Sequence, residues 1–245
     1  MTGDLPPARR RSAGVVWRVG WTVATLLVSQ VVVCGLALVP LAWAWSWLVP
    51  ATAGHRLGRV VILSLAAAPS YAVFAVGLMI LSAACTRLTG WRSRPGLEMR
   101  IAEMGWPLLD WARYMAAIHL VRVLAGTVFR GSPVWTMYLR LNGARIGRGV
   151  YVNSLGVSDH SLLEFGDDVV IGADAHVSGH TVERGVVMTA PVRLGARVTV
   201  GIASIVDIGV EAGPDCEVGA LSFVPKYSRL DGHAVYAGVP AHRIG

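Results

Sequence analysis

The stretch from Pro191 to Lys226, PVRLGARVTVGIASIVDIGVEAGPDCEVGALSFVPK, decides the fold of this chain. Six apolar residues recur in it at every sixth position: Leu194, Val200, Val206, Ala212, Val218 and Val224. Glycine follows four of them, as Gly195, Gly201, Gly213 and Gly219. A helix repeats about every 3.6 residues and a strand every two, so neither explains this period. We therefore predict a solenoid over residues 144–245, whose coils have three sides of six residues, with the apolar residues inside and glycine at tight corners.

The six-residue rhythm extends upstream and breaks twice. The interval from Val152 to Phe165 has one residue too many for two steps, and the interval from Val177 to Leu194 has one too few for three. We predict that residues 178–191 (SGHTVERGVVMTAP) form an external loop of the solenoid. Loops on rigid repeats commonly carry functional residues.

Two long apolar stretches precede the repeat. Residues 19–54 and 60–86 contain no Asp, Glu, Lys or Arg, and each exceeds the roughly 20 residues that cross a bilayer as a helix. Pro40 and Pro69 lie inside them, and membrane helices tolerate proline better than soluble helices do. We predict a two-helix transmembrane hairpin over residues 19–86, rather than two buried soluble helices or a cleaved signal peptide.

The arginine distribution predicts the orientation of this hairpin. The connection between the two spans holds only Arg56 and Arg59, whereas seven arginines flank the outer ends: Arg9, Arg10, Arg11, Arg18, Arg87, Arg92 and Arg94. The positive-inside rule places the basic N-terminus (residues 1–18) and the solenoid in the cytoplasm. We therefore expect a multi-pass protein of the cytoplasmic membrane whose solenoid domain, residues 144–245, faces the cytoplasm.

The chain has a net charge of +7, and its excess of basic residues lies in the N-terminal part that contains the two predicted spans. Residues 1–143 have 14 arginines against 4 acidic residues, and residues 144–245 have 8 basic residues against 11 acidic ones. The excess suits anionic lipid headgroups, so membrane lipid is an expected partner. The sequence shows no basic stripe on the folded domain and no nucleic-acid-binding motif, so we expect no nucleic-acid partner.

Residues 87–143 connect the two halves and mix aromatic residues with arginine. Trp106, Trp111 and Tyr114, for example, lie near Arg113 and Arg122. This mixture is typical of the headgroup layer and predicts one or two interfacial helices. An amphipathic helix packed on the first coil of the solenoid is the alternative, and both can hold for different faces.

The repeat resembles the hexapeptide-repeat acyltransferases, whose domains are left-handed parallel β-helices. The tail YAGVPAHRIG is similar to the V-x-x-G-x-P-A-[RK]-x-[IV] signature of the sugar and maltose acetyltransferase branch. Six residues carry this match, with His242 at the usual basic position: Val235, Gly238, Pro240, Ala241, Arg243 and Ile244. The family forms its sites between subunits, so the resemblance implies a homotrimer.

Residues 105–152, GWPLLDWARYMAAIHLVRVLAGTVFRGSPVWTMYLRLNGARIGRGVYV, carry a second resemblance. They are similar to the C-terminal membrane region of nonribosomal peptide synthetases of the poly-lysine synthetase type. In that region membrane helices alternate with acetyltransferase-like modules that are thought to join amino-acid monomers. This resemblance leaves two interpretations open, a stand-alone relative or a fragment of a larger synthetase.

Acyl transfer from a thioester needs a base for the attacking hydroxyl or amine, and histidine suits that role. In the family this histidine follows an inward position and enters the external loop. His180 lies there, three residues after Val177, although Thr181 stands where the transferase branch often has proline.

The resemblance suggests two further catalytic candidates. Asn153 follows inward Val152, where the family often places an asparagine against the acceptor or the oxyanion; a polar turn residue is the alternative. Asp159 would be an acid near the acceptor, as in sugar acetyltransferases, or else a solvated turn residue. Glu183 and Arg184 of the loop are candidates for acceptor contacts or are solvated charges.

His160, His176 and His180 together raise a zinc hypothesis, because γ-class carbonic anhydrases share the fold and bind zinc through three histidines. Their spacing here does not match that pattern, and we expect no metal. We interpret His176 as a surface or subunit-contact residue.

For the donor, the family threads a pantetheine arm past small residues between neighbouring subunits. The matching positions are Gly201, Ala203, Ser204, Gly219 and Ala220, although β-helix corners favour small residues in any case. Lys226 and Arg243 are candidates for the phosphates of coenzyme A.

Three hypotheses follow. The first is a membrane-anchored acyltransferase that moves an acyl group from acyl-coenzyme A to a hydroxyl or amine of a membrane-linked or envelope precursor. The second is an amide-forming module or partner of a poly-amino-acid synthetase, with the donor thioester on the phosphopantetheine of a carrier protein. The third is a non-enzymatic trimeric membrane scaffold, in which His180 points away from any groove or has no partner.

Overall fold

The computed structural model describes residues 13–54 and 56–245. Arg9, Arg10 and Arg11, on which part of the orientation argument rests, lie outside the described residues. The N-terminal half is helical, and its helices are α1 (Ala13–Ala51), α2 (Arg56–Thr89), α3 (Trp106–Val121), α4 (Thr127–Phe129) and α5 (Pro133–Leu141). A π-helical turn, Arg122–Gly126, joins α3 to α4, and 3-10 turns span Ile101–Glu103 and His160–Leu162.

Three helical stretches are long and apolar enough to cross a membrane: Ala13–Ala51, Arg56–Thr89 and Trp106–Phe129. In the first helix, only 17% of the most apolar 18-residue segment is buried inside the protein. In the second helix, the corresponding share is 6%. Exposed apolar surface of this extent calls for an apolar surrounding. The sequence predicted two such stretches because Arg113 and Arg122 interrupt the third; within it, the Arg113 guanidinium lies 2.7 Å from the Asp110 carboxylate.

The second half of the chain is built from short strands. They are β1 (Glu98–Arg100), β2 (Arg145–Ile146), β3 (Tyr151–Val152), β4 (Leu163–Phe165), β5 (Val170–Ile171), β6 (His176–Val177), β7 (His180–Glu183), β8 (Val186–Thr189), β9 (Val192–Leu194), β10 (Thr199–Val200), β11 (Ile205–Val206), β12 (Glu211–Ala212), β13 (Glu217–Val218), β14 (Phe223–Val224), β15 (Arg229–Leu230), β16 (Val235–Gly238) and β17 (Ala241–Arg243).

Most of these strands stack into a parallel β-helix with three faces. One face has the order β15-β12-β9-β4-β2, the second β17-β16-β13-β10-β5-β3, and the third β14-β11-β6. In the distal coils each residue pairs with the one 18 positions later, as Arg193 does with Glu211 and Glu211 with Arg229. This spacing is three sides of six residues, so the predicted hexapeptide-repeat β-helix is observed. Its left hand and its trimeric assembly stay predictions.

The inward residues form the core of the β-helix. The six predicted from the repeat, from Leu194 to Val224, are all less than a tenth exposed. Corner glycines permit close stacking: a Cβ on Gly195 would lie 2.8 Å from Pro214 N, and one on Gly213 2.5 Å from Gly232 N. Burial therefore requires an apolar residue at the inward position, and close backbone contact favours glycine at the corner position that follows.

The two register breaks appear as unequal coils. Tyr151 pairs with Val170, 19 positions on, and Val170 with Thr199, 29 positions on, instead of 18. The first break adds one residue and is taken up by the 3-10 turn at His160–Leu162. The second adds 11 residues (29 against 18), and residues 178–191 contain a β-hairpin of β7 and β8 rather than an irregular loop. Strand β1 pairs with β8 and completes a three-stranded antiparallel sheet.

Helix α5 joins the helical half to the first coil. Its Ser132 cap accepts a hydrogen bond from the Trp135 backbone nitrogen. The Trp135 ring is fully buried, and its Nε1 donates to the Ser154 carbonyl at 3.1 Å. One continuous apolar core, including Leu78, Val121 and Trp135, extends from α2 to the inward residues of the β-helix. The predicted alternative of a helix packed on the first coil therefore describes α5.

Candidate functional site

Asp159 lies in the first register break, at the entrance of the 3-10 turn, and is fully buried. Its backbone is left-handed, with φ 53° and ψ 49°, a conformation that aspartate adopts more readily than most residues. This conformation directs the chain into the turn. The alternative of a solvated turn residue is therefore wrong, because the Asp159 side chain has no contact with solvent.

His180 is the first residue of β7 and stands at the base of the hairpin. Its Nδ1 donates to Asp159 Oδ2 at 2.5 Å, although 20 residues separate the two along the chain. The Trp111 ring meets the imidazole edge-on, with ring centroids 4.9 Å apart. About a fifth of the His180 side chain is exposed (19%), so the ring is held from two sides and remains accessible.

Three further groups contact the carboxylate of Asp159, and a fourth, Ser178, contacts His180. Its Oδ1 accepts from Trp111 Nε1 at 3.0 Å and from Ser93 Oγ, and its Oδ2 lies 3.2 Å from the Ser158 hydroxyl. Ser178 Oγ in turn accepts from the His180 backbone nitrogen at 3.2 Å. These bonds fix the carboxylate and the imidazole relative to each other.

The hydrogen bonds also decide the charge of the carboxyl group. Burial alone would raise the pKa of Asp159, but the bond from His180 and those from Ser93 and Trp111 outweigh burial and lower its pKa below the usual value. Asp159 is therefore an anion at neutral pH. A fixed anion at Nδ1 keeps the proton on that nitrogen and leaves the Nε2 lone pair for chemistry.

No side chain of residues 13–54 or 56–245 forms a hydrogen bond with His180 Nε2. An imidazole oriented in this way accepts a proton from a hydroxyl or an amine, and the Asp159 carboxylate stabilises the resulting imidazolium. The geometry is that of a general base with an orienting carboxylate. The scaffold hypothesis expected His180 to point away from any groove or to lack a partner; Asp159 is a partner, so the second of these expectations is not met.

Asn153 is not joined to this pair by a hydrogen bond in the part of the chain that the structure describes. Its backbone nitrogen donates to the Ile171 carbonyl at 3.0 Å, and its side chain lies beside Gly131. This environment matches the alternative of a turn residue between coils. Its catalytic role stays a prediction.

Lys226 and Glu183, which are both candidates for substrate contacts, form an ion pair with each other. Lys226 Nζ lies 2.6 Å from Glu183 Oε1 and 2.6 Å from Oε2, which ties the hairpin to a distal coil. Arg184 is exposed at the tip of the hairpin, with a φ of 48°. Arg243 lies on the exposed last strand, 3.5 Å from Asp231.

The small residues proposed for the donor lie along two adjacent corners of the distal coils. Gly201 stacks on the next coil so closely that a Cβ would be 2.4 Å from Ala220 N, and Ala203 has a left-handed φ of 53°. Ser204 is fully buried, and its Oγ donates to the Gly219 carbonyl at 2.7 Å. Ser204 therefore holds two coils together, whereas Ala220 is exposed.

The three histidines of the zinc hypothesis have different environments. His160 is fully buried between the rings of Tyr114 and Tyr138, and burial, together with the Arg122 cation, lowers its pKa to about 3. His176 is exposed on β6. Within the described ranges no three His, Cys, Asp or Glu side chains cluster as metal ligands would.

The sequence did not identify Ser93 and Trp111 as residues of the candidate site. Both belong to the segment before the β-helix. Both reach Asp159 only because α3 and the turn before β1 pack against the first break. Residues Ser158 and Ser178, in contrast, flank the two register breaks that the sequence had already marked.

The comparisons with known proteins place this chain beside two groups. It is 25% identical over 151 residues to the delta-poly-L-ornithine synthetase of Acinetobacter baumannii, a match that covers 61% of the chain and 11% of that protein. It is 32% identical over 120 residues to the galactoside O-acetyltransferase of Escherichia coli, covering 46% of the chain and 57% of that enzyme. The chain thus spans about a tenth and just over half of the lengths of these curated relatives.

Among solved structures, the chain matches a hexapeptide-repeat acetyltransferase of Vibrio cholerae in complex with acetyl coenzyme A. The TM-score is 0.39 and the identity 20%, over 42% of this chain and 60% of that one. No protein-family model matches the chain. The two curated relatives confirm both resemblances stated from the sequence, to the hexapeptide-repeat acyltransferases and to the poly-amino-acid synthetases.

Proposed function

We propose that this protein is a membrane-anchored acyltransferase in which His180 and Asp159 form the catalytic pair. The hydrogen bond between these two residues, at the base of a hairpin on the β-helix, is the observation that carries the proposal. It supplies an accessible, oriented imidazole beside a buried carboxylate. The relation to a galactoside acetyltransferase supports transfer of an acyl group as the reaction.

The reaction would proceed in two stages. His180 Nε2 takes the proton from a hydroxyl or amine of the acceptor, whose oxygen or nitrogen then attacks the carbonyl carbon of the donor thioester. The carbon–sulfur bond breaks, the acyl group stays on the acceptor, and the imidazolium returns its proton to the leaving thiolate. Proton transfer of this kind contributes about 10²–10⁴-fold to a rate.

Acyl-coenzyme A is the proposed donor. Its pantetheine arm would pass the small residues at the distal corners, with Gly201 and Ala220 at its sides. Lys226 and Arg243 would approach the phosphates, and Lys226 would leave its pair with Glu183 to do so. We propose a homotrimer, because a groove between neighbouring β-helices would bring these corners opposite the His180 of another subunit.

The helical half would anchor the enzyme in the membrane, with α1 and α2 exposed to lipid. The arginine distribution supports a cytoplasmic location of the β-helix at the inner face of the membrane. The acceptor would then be a membrane-linked or envelope precursor. Its hydroxyl or amine would reach His180 at the side where Trp111, on α3, borders the site.

The test uses the detergent-purified full chain with radiolabelled acetyl-coenzyme A and a lipid extract of the source membranes. The proposal expects label in the organic phase together with release of one thiol per label transferred. Thiol release without labelled product, or no thiol release at all with binding intact, would contradict it.

A second candidate is amide formation with a thioester on a carrier protein, as part of or beside a poly-amino-acid synthetase. Two observations favour it: the 61% of this chain that matches a poly-ornithine synthetase, and the pairing of Lys226 with Glu183, which leaves the proposed phosphate contact occupied. Coenzyme A carries a nucleotide that the phosphopantetheine of a carrier protein lacks, so binding measured by calorimetry separates the two donors. Binding of coenzyme A that is weakened by Lys226→Gln supports the first donor, and equal binding of pantetheine 4′-phosphate and coenzyme A supports the second.

A further inference from the structure

A pocket of about 560 Å³ lies where α2 ends beside the first coils of the β-helix. Four arginines line its wall: Arg87, Arg92, Arg94 and Arg145. No acidic residue of the described chain lines it. Two of them have partners, since Arg145 lies 3.3 Å from Glu164 and Arg87 donates to the Arg140 carbonyl. Arg92 and Arg94 are exposed and form no side-chain hydrogen bond or ion pair with the residues that the structure describes.

A pocket wall with four arginines and no acidic residue favours a phosphate group, and Arg92 and Arg94 are the two whose side chains have no partner among the described residues. The guanidinium has a planar fork of donors that matches phosphate oxygens, and it stays charged at every physiological pH. Asn142 and Ser161 also line the pocket, but their side chains are already bonded within the protein, Asn142 Nδ2 to the Tyr138 carbonyl and Ser161 Oγ to the Ser93 carbonyl. The pocket therefore suits a phosphate rather than a neutral sugar.

An apolar groove of about 670 Å³ lies next to this pocket, between α1 and α2. Aliphatic side chains such as Val28, Leu36 and Leu81 line it, with Ala84 at its wall. On α1 the groove extends from Trp21 to Leu36, about 22 Å at 1.5 Å per residue. It is open on one side and long enough to receive a hydrocarbon chain.

The two cavities are adjacent, because Trp91 lines both the groove and the arginine pocket. A soluble anion would use only the pocket, and a neutral lipid would use only the groove. A lipid with a phosphate in its headgroup matches both. We propose that the arginine pocket and the α1–α2 groove form one binding site for a phosphate-bearing lipid, with the phosphate at Arg92 and Arg94 and a hydrocarbon chain along the groove.

This lipid site adjoins the catalytic pair through residues 91–94. Trp91, Arg92 and Arg94 line the proposed site, while the Ser93 hydroxyl donates to Asp159. Ser161, also in the pocket wall, donates to the Ser93 carbonyl at 2.7 Å. The lipid is therefore placed to present its headgroup as the acyl acceptor; this role rests on the proposed function, whereas the binding itself does not.

Native mass spectrometry of the detergent-purified full chain tests the binding. The probes are dioleoyl phosphatidic acid and dioleoylglycerol in equal amounts, which share their chains and differ in the phosphate. The wild type should retain phosphatidic acid about tenfold or more over dioleoylglycerol, and Arg92→Gln/Arg94→Gln should lose this preference. The matched control is Arg56→Gln/Arg59→Gln, which removes the same charge at the opposite end of α2 and should keep it.

The groove is tested separately with Ala84→Trp, which fills it without changing charge, and with inorganic phosphate as a competitor. Reduced retention of phosphatidic acid by this variant supports the proposal. Unchanged retention, or complete displacement of the lipid by millimolar phosphate, would show a phosphate site without a chain site and overturn it. Equal retention by both arginine variants would overturn it as well.

No thioester is present in this assay, so its failure leaves the proposed acyl transfer intact. Conversely, a His180 variant with normal transfer activity would remove the proposed function and leave the lipid site standing. Circular dichroism and gel filtration of each variant verify that a lost preference comes from a folded protein.

Discussion

The proximal and distal coils of the β-helix are made of the same repeat but differ in their regularity and in what they contact. From Thr199 to Leu230 every coil has 18 residues, and the outward surface carries exposed ion pairs such as Arg197 with Asp215. Before Leu194 the coils have 19 and 29 residues, they pack against α3 and α5, and they contain the Asp159–His180 pair.

Each of the two departures from the repeat therefore carries one residue of the candidate pair. The single extra residue after Val152 creates the turn that buries Asp159, and the hairpin inserted after Val177 begins with His180. Regular coils have no room for either, since each of their positions is already assigned to the core, a corner or the surface. The predictions below compare a change in the proximal coils with a matched change elsewhere.

The largest effect should come from His180→Ala. Loss of the base should lower acyl transfer by about 10²–10⁴-fold. His233→Ala, on an exposed corner of a distal coil, is the control and should leave the rate unchanged. The measurement is label transferred from acetyl-coenzyme A to the membrane extract; equal rates for the two variants would remove the distinction between proximal and distal coils.

Asp159→Asn should have the next largest effect. The amide cannot hold a proton on Nδ1 or stabilise the imidazolium, so the rate should fall by about 10²-fold or more while donor binding persists. Asp215→Asn removes an acid of similar size from the distal surface pair with Arg197 and should change the rate less than twofold. A loss of equal size in both variants would indicate a general effect of charge.

Trp135→Ala tests the packing of α5 on the first coil. The ring is fully buried, and replacing a buried tryptophan by alanine costs about 3–5 kcal/mol. Ile208→Val, in the core of a distal coil, should cost about 0.5–1.5 kcal/mol. Chemical denaturation followed by circular dichroism in detergent checks both values, and a tryptophan variant as stable as the isoleucine variant would mean that α5 is only loosely attached.

The smallest effect, taken per pH unit, concerns stability in acid. Burial and Arg122 hold the pKa of His160 at about 3 in the folded protein, below the ordinary value of 6.5. The unfolded chain therefore binds more protons below pH 6.5, and stability falls as the pH falls from 6.5 towards 3, by at most about 1.4 kcal/mol per pH unit. His160→Gln should flatten this slope and the exposed His233→Gln should not; parallel unfolding curves for all three proteins would contradict the assignment.

Much of this fold could be predicted from the sequence because its signals are local and repeated. The inward residues, the corner glycines and both register breaks follow from counting by six, and the charge-free runs identified α1 and α2. The third apolar stretch, α3 to α4, was missed because Arg113 and Arg122 interrupt it. Within the protein, Arg113 contacts Asp110, and Arg122 donates to the Val157 carbonyl.

The site was only half predictable for a physical reason. His180 lies beside a register break that the sequence shows, but its pairing with Asp159 depends on how two unequal coils stack. Ser93 and Trp111 are more than 45 residues from Asp159 along the chain, and tertiary packing alone brings them to it. Asn153 and Ser204 were chosen by family position; both lie between coils and form no hydrogen bond with the pair in the described part of the chain, and their proposed roles stay predictions.

The central claim is that Asp159 acts through His180, and a double-mutant cycle tests it most directly. The rates of acyl transfer are measured for the wild type, His180→Ala, Asp159→Asn and the double variant under the same conditions. If the two residues are one unit, the double variant should be within about twofold of His180→Ala alone, because the carboxylate has no imidazole left to orient. Losses that multiply in the double variant would contradict the account.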